Sequence, residues 1–147
     1  MFYPDKDFIL SLSEKEKFIF LKIICGIVAV DRKVSREELI YLKELALKYD
    51  VSGETLSAMI KSSETDILIK QARLIADRVK ALALIKDMCM VANIDTELAD
   101  EEIDYILDVA EAMGIEAERV RDINAVVNEY LAVSQKAAIL LEQEHWS

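Results

Sequence analysis

The amino-acid sequence predicts an all-α protein, a compact bundle of about seven helices built from two diverged helix-loop-helix repeats. Three observations lead there. Three glycines and one proline in 147 residues leave too few turn formers for a sheet-rich fold. Apolar residues make up 53% of the chain and recur at helical spacing over most of its length. The chain also matches itself when shifted by 64 residues, which places Phe18 to Ile60 on Leu82 to Asn124.

The shifted match carries eight identities: Lys22/Lys86, Cys25/Cys89, Asp31/Asp95, Glu37/Glu101, Glu38/Glu102, Tyr41/Tyr105, Ala46/Ala110 and Glu54/Glu118. Apolar pairs such as Leu21/Ile85, Ile27/Val91, Leu42/Ile106 and Val51/Ile115 accompany them. One supersecondary unit used twice explains both sets. The expected organisation is one domain over residues 1–147, with repeat one at about 14–62, repeat two at about 78–132 and a C-terminal helical extension to 147.

Each unit reads as a helix ending near the shared Asp, a loop of about four residues, and a second helix opening just before the paired glutamates. Leu39, Leu42, Leu45, Ala46 and Tyr49 give the first of these second helices one buried face, as do Ile103, Ile106, Val109, Ala110 and Met113 in the later unit. Gly114 supplies a left-handed stop, and Asp50 with Gly53 marks the matching end in the first unit. Ser13 with Glu16, and Ser63 with Asp66, signal further helix starts. Residues 66–94 lack Gly and Pro; one long helix or two joined near Asp77 to Lys80 both fit, and two are favoured. A last helix is expected from Glu116 to about Leu141. Its apolar residues cover more than one stripe, which calls for a neighbour: the N-terminal arm with Phe2, Tyr3 and Phe8, or another subunit.

Composition excludes several functions. The longest apolar run, Ile23 to Val30, is far short of the roughly 20 residues of a membrane span. The N-terminus has neither the basic flank nor the cleavage site of a signal peptide, so a cytoplasmic protein is expected. Cys25 and Cys89 lack the short spacing of a metal or redox pair and read as reduced core thiols. Net charge is −10, spread very unevenly. Residues 1–80 carry 14 basic and 13 acidic side chains, whereas residues 81–147 carry 4 and 15. Such a field repels phosphate backbones, and no nucleic-acid partner is expected. The one histidine, His145, sits near the end of the chain, and no phosphate loop, nucleophile elbow or zinc-helix motif is present. No catalytic residue is assigned and no enzyme is expected.

The two loops differ chemically. In Asp31 to Glu38, Ser35 can cap the following helix while Glu38 reaches back to the cap amide, an arrangement worth on the order of 1 kcal/mol. Arg32, Lys33 and Arg36 balance Asp31, Glu37 and Glu38. In Asp95 to Glu102, by contrast, Asp95, Glu97, Asp100, Glu101 and Glu102 stand in eight residues without a basic side chain, and Ala99 replaces the capping serine. Helix-dipole placement accounts for two or three of these acids. A hard cation, calcium or magnesium, would relieve the remaining repulsion; a solvated acidic face, or a docking surface for a basic partner, fits the same residues.

The two loops share Asp, a hydrophobe three residues later and Glu at six and seven. In this pattern the chain resembles the TerB-like tellurite-resistance family, whose helical domains carry an Asp-Gly-x-hydrophobe-x-x-x-Glu loop between two helices. The resemblance covers most of residues 14–132. It implies an all-helical fold and a cytoplasmic, stress-associated role with metal-ion or partner binding in place of known catalysis. It also places the family's acidic positions on Asp31 and Glu38, and on Asp95 and Glu102. Arg32 and Thr96 stand where the family has glycine, which removes the residue best suited to a left-handed cradle.

The expected function is therefore a non-enzymatic TerB-like binding or adaptor module, responsive to divalent cations through Asp95, Glu97, Asp100, Glu101 and Glu102, with Asp31 and Glu38 as weaker candidates. Its partner would be a protein, and membrane association would run through that partner. The alternative is a structural homo-oligomerisation domain that works through the apolar C-terminal helix. Direct binding of a metalloid oxyanion fits poorly with the acidity of the second half.

Overall fold

Two helices with apolar residues nearly all round must lie at the centre of whatever the chain builds. They are α2 (Glu14–Asp31) and α6 (Arg78–Asn93). Phe20, Leu21, Ile23, Ile24, Cys25, Ile27 and Val28 of α2, and Ala81, Leu84, Ile85 and Met88 to Ala92 of α6, are all buried in one continuous core. The computed structural model of the chain describes residues 6–31, 33–95 and 99–146, except for the side chains of Asp31 and residues 143–146.

Around this pair stand α1 (Lys6–Leu10), α3 (Arg36–Lys48), α4 (Gly53–Lys61), α5 (Thr65–Ala72), α7 (Asp100–Ala112) and α8 (Ala117–Trp146). The protein is all-α: eight helices and no strand occur among the described residues. α2 packs on α3, α4, α5, α6 and α7, and α6 packs on α2, α3, α7 and α8. Among the described residues no helix is long and apolar enough to cross a membrane. Phe8 packs partly buried against the core; Phe2 and Tyr3 lie outside the described residues.

Local sequence explains the boundaries. The Ser13 hydroxyl accepts from the Glu16 amide at 3.0 Å while the Glu16 carboxylate accepts from the Ser13 amide at 2.9 Å, a capping box that opens α2. The same carboxylate meets Lys80 Nζ at 2.9 Å and so ties the start of α2 to the start of α6. Backbone and ammonium donors together hold Glu16 below the usual glutamate range. Asp77 caps α6 by accepting from the Lys80 amide at 3.0 Å, so residues 66–94 form two helices separated after Ala72.

α3 and α7 end identically. Val51 N–H reaches the Ala46 carbonyl and Ile115 N–H the Ala110 carbonyl, both at 2.8 Å, while Asp50 N–H and Gly114 N–H reach Leu47 and Glu111. These are Schellman ends, and the residue that turns left-handed is Asp50 (φ 59°) in one and Gly114 (φ 76°) in the other.

Eight helices among the described residues, short α1 included, fit the expected bundle of about seven. One expectation needs correction. Ser63 does not open a helix: its hydroxyl donates to the Met59 carbonyl at 2.6 Å, closing α4, and α5 starts at Thr65 behind Glu64 without a side-chain cap. The expected second loop falls mostly on residues 96–98, outside the described residues; α6 itself stops at Asn93. There the Asn93 side chain turns back to the Cys89 carbonyl and across to Asn124 Oδ1, both at 2.7 Å.

Candidate functional site

Each of the two segments turns one glutamate inward. Glu38 and Glu102 are only 2% and 1% exposed, at the third position of α3 and α7. Glu38 Oε1 accepts from the Ser35 amide at 2.9 Å while the Ser35 hydroxyl accepts from the Glu38 amide at 3.1 Å. Glu102 Oε1 accepts from the Ala99 amide at 3.2 Å; Ala99 has no side-chain oxygen, so only half of the box is made there. Asp100 and Glu101 are exposed on the first turn of α7, and Asp95 is half-buried just past α6. Glu97 and the Asp31 side chain lie outside the described residues. Among the described residues no three carboxylate, histidine or cysteine side chains converge as a metal site.

Sequence reading missed a buried polar cluster. Asp87, 1% exposed on α6, accepts from Tyr49 Oη at 3.3 Å and Tyr41 Oη at 3.5 Å, and pairs with Lys86 Nζ at 2.8 Å. Burial pushes the Asp87 carboxyl above the ordinary aspartate range, with Lys86 opposing, and burial beside Asp87 pushes the Tyr49 phenol up. Ile23 stands 64 residues before Asp87. There Tyr105, 64 residues after Tyr41, donates its hydroxyl to the Ile23 carbonyl at 2.8 Å. Gly26 makes room for it, since a methyl group at Gly26 would sit 2.6 Å from Tyr105 Cζ. Each tyrosine thus crosses to the central helix of the other unit. The signal that could have located Asp87 is a lone acid inside the apolar run from Ala81 to Val91. Cys25 and Cys89 are buried free thiols, each pushed up to about 12 by burial.

The surface feature best suited to hold another molecule is an apolar groove between α6 and α8, about 480 Å³ in volume. Leu82 and Ala83 wall one side and Ile123, Val126 and Val127 the other, with Lys86, Arg119 and Asp122 on its rim. Lys86 lines the groove and also reaches Asp87, so the rim connects to the buried cluster. Beyond the groove α8 outruns the bundle: Val133 is 64% and Leu140 66% exposed, and residues 135–142 are exposed throughout. The groove can offer apolar contact with a few charges to orient an occupant.

No family model matches the chain, and neither a curated protein nor a solved structure does. What the fold and surface define is a class: an all-α bundle with a buried tyrosine–aspartate cluster and an exposed apolar groove on its last helix.

Proposed function

We propose that this protein is a non-catalytic binding module of the TerB-like kind, acting in a cytoplasmic stress setting, and that it takes a helical protein segment along α6 and α8. The observation that carries this reading is the apolar groove of Leu82, Ala83, Ile123, Val126 and Val127, which continues into the uncovered stripe of α8. A surface of this shape takes the apolar face of an amphipathic helix. Lys86, Arg119 and Asp122 beside the groove carry both signs and favour a segment with both signs beside its apolar face. A calcium or magnesium response of residues 95–102 is not needed for this reading, because Glu102 is already engaged at its helix start.

The test is an amide NMR titration of the protein with a synthetic amphipathic helix bearing leucine at alternating spacings of three and four and charges of both signs beside them. Saturable shifts at residues 82–86 and 119–127, abolished in Ala83→Glu, are expected. Shifts scattered over the surface, or none, would contradict the proposal.

A further inference from the structure

The exposed stripe of α8 has the periodicity of a coiled-coil seam. Val126, Tyr130, Val133, Ala137 and Leu140 are separated by four, three, four and three residues. This is the a/d alternation of a heptad, with Tyr130 and Ala137 at a and Val126, Val133 and Leu140 at d. Val126, Val133, Ala137 and Leu140 are exposed and Tyr130 is half-buried. Ile123, the preceding a position, lines the α6–α8 groove. The g positions, which flank such a seam, hold Glu129 and Lys136, both exposed.

We propose that a second copy of this chain occupies this face through antiparallel pairing of the two α8 helices. Packing a against d in an antiparallel pair sets Tyr130 on Val133, Val126 on Ala137 and Ile123 on Leu140 of the other copy, and each layer recurs through the two-fold axis. The Leu140 end of one α8 then lies over the groove of the other, beside Leu82 and Ala83. In this register the g positions face each other across the seam, so Glu129 of each copy meets Lys136 of the other. A parallel, in-register pair would set both against Ser134 and Leu141 instead and gain no ion pair. The charge pattern therefore selects a second copy, and the antiparallel arrangement, over an unrelated apolar helix. The inference rests on the binding-module reading and names its occupant.

Sedimentation velocity of the full chain over a concentration series tests it. The wild type should dimerise reversibly. Val133→Asp, a substitution at an exposed position, should leave the helical circular dichroism and the low-concentration melt unchanged while raising the dimer dissociation constant by about 100-fold. Glu129→Lys and Lys136→Glu should each weaken the dimer by roughly 10-fold, since each turns two attractions into repulsions, and the double swap should restore it. A strict monomer, or a dimer indifferent to both charge changes, overturns the proposal. If the monomer's groove still takes the amphipathic peptide, self-pairing alone fails; if it takes none, the binding-module reading fails with it.

Discussion

Asp87 is a residue at which the chain accepts a local penalty. A carboxylate in a helix otherwise filled by Leu84, Ile85, Met88 and Cys89 loses its water and gains two phenol donors and one ammonium. Because burial raises its folded value, folding shifts the Asp87 equilibrium toward the protonated form. Its contribution to stability is full below the ordinary aspartate range and is lost as pH rises through the raised value. Asp87→Asn removes the titrating carboxyl, so its stability relative to wild type should improve as pH rises above the ordinary aspartate range, as urea denaturation at each pH would show. Parallel pH curves for the two proteins would contradict the assignment. The rest of the residue scale was partly legible. The shared Tyr41 and Tyr105 and the Ser35–Glu38 box stand in the sequence, because identity at a fixed offset and capping spacing are local signals. The joining of Asp87 to Tyr49 depends on α3 meeting α6 and has no local signature.

At the scale of elements, the chain boundaries keep the offset seen in the sequence: α3 and α7 cover residues 36–48 and 100–112, and α4 and α8 begin at 53 and 117. What differs between the units is chemistry at equivalent places. Asp50 adopts the left-handed conformation for which the later unit uses Gly114. An aspartate tolerates that region at a cost, so Asp50→Gly should stabilise the protein by about 0.5–1 kcal/mol. Gly114→Asp should destabilise it by a similar amount; urea denaturation measures both, and a destabilised Asp50→Gly would show that the Asp50 side chain matters more than its backbone. The helix faces, the break near Asp77 and the two Schellman ends were readable, since periodicity, caps and glycine act within a few residues. The start of α5 was not, because Ser63 can serve either the helix before it or the one after, and only packing decides. The acidic loop was legible as composition but not as geometry: Glu102 turns inward to its own helix start, which leaves Asp100 and Glu101 outside.

At the scale of the whole molecule, the helices share one core, yet residues 81–147 carry all of the net negative charge and the long last helix. The surplus apolar residues of α8 were visible in the sequence as a helix with more than one stripe. Their meaning needed the structure, because only burial separates the stripe held by α6 and α7 from the one left uncovered. Contact between molecules through that uncovered stripe is what the proposed function requires. Amide hydrogen exchange at low and high protein concentration tests it most directly. Protection should rise with concentration at residues 123–140 of α8 and at Leu82 and Ala83, and nowhere else. Exchange in α8 that is independent of concentration, or added protection centred on residues 36–48 or 100–112, would contradict it.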